Sequence, residues 1–176
     1  MNAKTPIIEL KKSEGTYVVS AGNLYRIIAE GKDTDNRFSL METVLKPGQG
    51  APYHTHTRED EAFFILEGEV TFYLPDKSIT ANKEDFISCP PGATRGFRNN
   101  TNKVARMLLF YSSAGVEEMT VRDGQVVEPG VKASELNSGR DIQCPTLAEE
   151  YGIADSETKL PSLYEHISTK KGNLNV

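Results

Sequence analysis

The stretch PYHTHTREDEAFFILEGE, residues 52–69, carries two of the chain's three histidines one residue apart, then runs through an acidic patch into apolar residues before Gly68. Side chains alternate along an extended strand, so His54 and His56 project from the same face. From residue 61 onward both parities are apolar: Phe63 and Ile65 share a face with Glu61, while Ala62, Phe64 and Leu66 take the other. Such a strand is expected to be covered on both sides. One cover would be a barrel interior; the other would be a second sheet, the C-terminal tail or another subunit.

The surrounding sequence has the same texture. LYRIIAE (24–30), RFSLMETVL (37–45), EAFFILEGEVTFYLP (61–75), DFISCP (85–90) and VARMLLFYS (104–112) are rich in β-branched and aromatic residues. Turn-forming clusters such as GKDTDN, KPGQGAP, PDKS, PPGAT and NNTN separate them, which predicts an all-β sandwich or barrel. After residue 112 the pattern changes. GVEEMTVRDG and TLAEEYGI read as short helices, PSLYEHI as one further helical turn, and the segment between the first two as irregular polar chain. The expected organisation is an N-terminal arm (1–15), a β core (16–112) and a helical or irregular tail (113–176), with 123–145 as a candidate lid.

Composition narrows the function classes. A net charge of -5, with lysines and arginines scattered, provides no basic stripe for nucleic acid. The N-terminus lacks the apolar run of a signal peptide, and no window approaches the roughly 20 apolar residues of a membrane span, so a cytoplasmic protein without a membrane partner is expected. Cys89 and Cys144 lie far apart with no CxxC pair, a spacing that points to two reduced thiols rather than a disulfide scaffold or zinc ribbon.

The histidine pair has a chelating geometry. Glu61, reached after a short connection, can complete a three-point site of two imidazoles and one carboxylate. That donor set suits iron, zinc, nickel, copper or manganese and does not select among them. The plainer reading makes the histidines ordinary hydrogen-bonding residues at a strand end and Glu59, Asp60 and Glu61 a solvated acidic turn.

At this level of detail the sequence resembles the cupin superfamily. Its first motif is present in Gly48, His54, His56, Glu61 and Gly68; its second is present in PPGATRGFRN, with Pro90, Gly92 and Asn99. Arg95 stands where the second motif usually has a histidine. The resemblance covers about residues 38–112 and implies a double-stranded β-helix, a jelly-roll-like barrel, with His54, His56 and Glu61 in its mouth. GVEEMTVRDG and the YGI of residues 151–153 resemble the tail of single-domain, quercetin-dioxygenase-like cupins. The implied function is a divalent metal (Fe, Mn, Ni or Zn) held by His54, His56 and Glu61, acting on a small anionic or aromatic molecule. The alternative is a non-catalytic small-ligand-binding cupin whose metal site Arg95 has closed. A homodimer is expected on either reading.

Arg95 decides between these readings. A guanidinium has no lone pair to give a metal. At about 4 Å from a cation, each pair of unit charges costs on the order of 4 kcal/mol at an effective dielectric near 20. Arg95 can cross the mouth to pair with Glu61, hold an anionic substrate as a catalytic residue beside a bound metal, or turn outward. Phe63, Ile65 and Phe97 are candidate pocket walls. Tyr53 and Tyr73 are read as packing residues, Cys89 as a buried thiol and His166 as an ordinary tail residue.

Overall fold

The computed structural model describes residues 7–131, 143–156 and 158–162. Its strands are β1 (Thr16–Ser20), β2 (Asn23–Ala29), β3 (Ser39–Leu45), β4 (Gly50–His56), β5 (Asp60–Glu67), β6 (Glu69–Tyr73) and β7 (Ser78–Asn82). They continue with β8 (Phe86–Cys89), β9 (Thr94–Arg98), β10 (Ala105–Ser112), β11 (Gln125–Val127) and β12 (Ile153–Asp155). Two helices, α1 (Val116–Asp123) and α2 (Pro145–Glu150), fall on the segments predicted for them. The helical turn expected at PSLYEHI and the irregular segment 132–142 lie outside the described residues.

The strands form two antiparallel sheets, one ordered β11-β1-β2-β3-β10-β5-β8 and the other β12-β4-β9-β6-β7. This is the all-β double-stranded β-helix expected from the motifs. The run EAFFILEGEVTFYLP, expected as one strand, is instead two strands in different sheets. Gly68 turns between them at φ 78°, where an added Cβ would stand 2.9 Å from the Val104 carbonyl oxygen. Glycine alone tolerates both demands easily. The strands SITAN and TRGFR were missed for a related reason: one buries a single residue and the other is interrupted by Gly96. The tail also contributes more than helix, because β11 pairs with β1 and β12 with β4.

The inner parity of β5 is buried as expected. Phe63 and Ile65 are fully enclosed, and Phe63 meets Phe72 and Phe97 edge-to-face at ring separations of 4.8 and 5.5 Å, the geometry that aromatic quadrupoles favour. α1 closes one end by burying Val116 and Met119. Its Glu117 carboxylate accepts the backbone N–H groups of Gly31 and Gly115 at 2.7 and 2.8 Å, which ties the helix start to the loop after β2. The outer parity of β5 is only partly covered within one chain: Ala62 is buried, but Phe64 is 38% exposed. Among the described residues no helix is long and apolar enough to cross a membrane.

Phe63→Ala removes the ring at the centre of this aromatic cluster and is expected to lower stability by about 3–5 kcal/mol, measurable as a reduced urea midpoint at unchanged slope.

Candidate metal centre

β4 delivers its two histidines inward beside β9. The pairing shifts between Ala51 and His54, so Pro52 and Tyr53 lie opposite Gly96 before His54 comes into register with Arg95. Proline has no N–H for the ladder, which makes a bulge its natural place in a sheet. Gly96 allows the close approach: a Cβ there would stand 3.0 Å from the Pro52 carbonyl.

Both imidazoles are oriented through Nδ1. The ring of His54 donates to the Pro52 carbonyl oxygen at 2.8 Å, and that of His56 donates to Glu59 Oε2 at 3.3 Å. Because each partner is an acceptor, Nδ1 carries a proton in both rings, and Nε2 is the atom turned toward Glu61. Those two Nε2 atoms lie 3.8 and 3.9 Å from Glu61 Oε2, and one potential ligand atom from each of the three residues lies within 4.8 Å of the others. Burial lowers the His56 pKa against the pull of Glu61 and Glu59, favouring the neutral ring. The cluster therefore gathers two imidazole Nε2 atoms and a carboxylate oxygen in one place.

Arg95 crosses to Glu61, the first of its three possible orientations. It is wholly buried, with Nε 2.7 Å and Nη2 2.6 Å from the same Glu61 oxygen, Oε2. Nη1 donates to the Ala93 carbonyl oxygen at 2.8 Å. Two nitrogens converging on one oxygen cannot both align well. The Nη2 contact is therefore electrostatic proximity rather than a formed hydrogen bond, and Nη2 has no other partner among the described residues. Burial pushes the Glu61 carboxyl up, but His56, Arg95 and His54 outweigh it and hold the group well below the usual carboxylate range.

Over this cluster lies a cavity of about 50 Å³, bordered by His54, His56, Glu61, Asn23, Tyr25 and Tyr111 among others. Of the three expected wall residues only Phe97 borders it; Phe63 and Ile65 pack in the core, and Arg95 lies outside the lining. Tyr111 sits opposite Glu61 in the β10–β5 register and stacks on His56 at 5.6 Å. Burial, reinforced by Glu61, pushes the Tyr111 phenol well above its ordinary value. Burial also raises Tyr25 to about 12, although the hydrogen bond from Asn23 works the other way.

Glu59, read as part of a solvated turn, is 4% exposed and turned toward His56. Tyr111 shares the inward parity of Met107 and Leu109, so strand alternation alone could have placed it. Asn23, at a hairpin end, carried no such signal. Tyr53 donates to the Leu74 carbonyl oxygen, and Tyr73 bonds with Arg98 and Asn100, both away from the cluster. Cys89 is buried, with its thiol pKa raised by burial. Neither cysteine is in a disulfide. His166 lies outside the described residues.

A cupin-domain family model matches residues 41–111. That match and the fold support a cupin-superfamily protein. Quercetin 2,3-dioxygenase of Bacillus subtilis (strain 168) is 29% identical over 89 residues, 51% of this chain and 26% of that protein. The chain thus spans about a quarter of the dioxygenase's length. Among solved structures, the polyketide cyclase RemF of Streptomyces resistomycificus superposes with a TM-score of 0.55 at 20% identity, over 61% of this chain and 80% of that one. KdgF of Halomonas sp. superposes with a TM-score of 0.56 at 14% identity, over 65% and 99%. These two likenesses establish the fold alone.

Arg95→Met strands the Glu61 carboxylate in the interior and is expected to cost about 3–5 kcal/mol in chelator-treated protein. Adding Glu61→Gln should recover part of that loss, giving a favourable coupling between the two residues in a double-mutant cycle of urea unfolding.

Proposed function

We propose that this cupin holds one divalent cation on His54, His56 and Glu61 and acts there on a small oxygen-bearing molecule, anionic or aromatic, in dioxygenase-like chemistry. The observation that carries this reading is the convergence of two imidazole Nε2 atoms and a carboxylate oxygen in a buried pocket. A single cation among these three groups would be met by all of them, and the donor set suits Fe, Mn, Ni or Zn. When bound, such an ion supplies Lewis acidity, or dioxygen chemistry in the case of iron.

The protein's own residues prepare the site. The Pro52 carbonyl and the Glu59 carboxylate fix both imidazoles by holding Nδ1–H, an arrangement that also raises ligand basicity. Arg95 steadies Glu61 from outside the cavity, so its proposed part is positioning rather than direct contact with substrate. With neutral imidazoles, the charges of Glu59, Glu61 and Arg95 sum to a single negative charge; a divalent ion would reverse the sign and favour an anionic ligand. The cavity volume of about 50 Å³ holds roughly four waters, room for a ligand of a few heavy atoms. The likeness to quercetin 2,3-dioxygenase supports oxygen chemistry, but this volume favours a substrate much smaller than a three-ring flavonol.

A second reading, a non-catalytic ligand-binding cupin closed by Arg95, draws support from the Arg95–Glu61 pair, which neutralises the carboxylate without a metal. Elemental analysis of untagged protein distinguishes the two. Near-stoichiometric metal in the unmodified protein is the outcome expected here; metal only in Arg95→His would favour the closed site. In addition, Glu59→Gln weakens the orientation of His56 and should reduce metal affinity roughly 10–100-fold, measured by competition with a chromogenic chelator.

We also propose that two copies pair through the outer face of the seven-stranded sheet. Phe64 lies in register with Leu108 and Phe86, and Phe110 with Leu40 and Ala62. Phe38 stacks on Phe110 at 5.5 Å. Phe86 and Phe110 are 62% and 39% exposed, and a contiguous apolar face of this kind favours association. Sedimentation should give a dimer mass for the unmodified chain and a monomer for Phe86→Glu/Phe110→Glu; a monomeric unmodified chain would count against the pairing.

A further inference from the structure

The amide of Asn23 is buried at the edge of the cavity, and only one of its ends is satisfied. Nδ2 donates to the Gly50 carbonyl oxygen at 2.9 Å and to the Tyr25 phenol oxygen at 3.3 Å. A backbone carbonyl can only accept, so this contact determines which end of the amide is nitrogen. The other end, Oδ1, is therefore an acceptor, and it has no partner among the described residues although Asn23 is 1% exposed. An unmatched buried acceptor costs far more than an ordinary hydrogen bond contributes. Tyr25 supplies the complement: its oxygen accepts from Asn23, which leaves the phenol hydrogen for another acceptor. Both residues border the same cavity as His54, His56 and Glu61.

We infer that Asn23 and Tyr25 form a hydroxyl-recognition subsite, and that the substrate is a small hydroxy acid whose carboxylate faces the histidine cluster. A hydroxyl donates to Oδ1 while accepting from the phenol, so one small group satisfies both. A second carboxylate would leave Oδ1 facing another acceptor, and an ammonium would leave the phenol without one. The cavity volume of about 50 Å³ matches a molecule of this size. Asp155, the exposed carboxylate bordering the same cavity, disfavours further negative charge there. This inference rests on the proposed metal at His54, His56 and Glu61, which would attract the carboxylate end.

Glycolate and acetate differ by one hydroxyl and provide the test, with binding to metal-loaded protein followed by calorimetry and metal content determined on the same samples. Glycolate should bind roughly tenfold or more tightly than acetate. Tyr25→Phe, which keeps the ring and removes only the hydroxyl, should shrink that preference to within about twofold while leaving acetate affinity unchanged. Asn23→Leu should do the same, and if it fails to fold, Tyr25→Phe still decides the matter. Equal affinities in the unmodified protein, equal losses for both ligands in Tyr25→Phe, or no binding of either compound to metal-loaded protein would overturn the subsite. Protein that takes up no metal would instead overturn the metal reading on which the subsite rests.

Discussion

The buried carboxylate of Glu61 is the constraint around which the centre of this molecule is arranged. An ionised carboxylate removed from water needs compensation from several directions. Arg95 supplies a permanent charge at hydrogen-bonding distance, Tyr111 stands opposite Glu61 in the strand register, and two imidazoles face it across the cavity. Each partner comes from a different strand: β9, β10 and β4. The two sheets must therefore close to one particular separation before the charge is satisfied, which couples the integrity of the site to that of the fold.

The same arrangement explains how a guanidinium can occupy a position where related motifs have a histidine. Arg95 directs its charge at the carboxylate from outside the cavity instead of projecting into the cavity. Its third nitrogen is tied back to the Ala93 carbonyl, so the group is held from both ends. A residue that cannot bind metal thus serves the residue that can, and the proposed metal site and the ion pair compete for the same oxygen. Glu59 acts similarly one step further out, holding His56 rather than meeting any ligand.

Much of the fold was legible because it depends on local regularities. Alternation placed Phe63, Ile65 and Glu61 on one face, and turn clusters marked most strand ends. Legibility failed where one residue overrides the pattern. Gly68 divides an uninterrupted apolar run between two sheets because its φ of 78° reverses the chain. Gly96 disguises β9 because it is chosen for the approach of Pro52 and contributes nothing to hydrophobic periodicity. The short strands β11 and β12 were invisible because three residues carry too little pattern and their partners lie far away in the sequence.

For the candidate site, the sequence alone determined that His54 and His56 share one face and that Glu61 shares another with Phe63 and Ile65, since the two-residue side-chain period is enough to align each set; the structure brings the two sets together from different sheets. The sequence also determined that Arg95 cannot be a metal ligand, because that follows from the chemistry of a guanidinium wherever it points. Only the tertiary structure decided that Arg95 turns to Glu61, that Glu59 is buried against His56, and that Asn23 and Tyr25 complete the cavity wall. Those facts depend on contacts between strands distant along the chain, where the direction of a side chain is set by the burial and hydrogen-bonding needs of its neighbours rather than by its position in a local pattern.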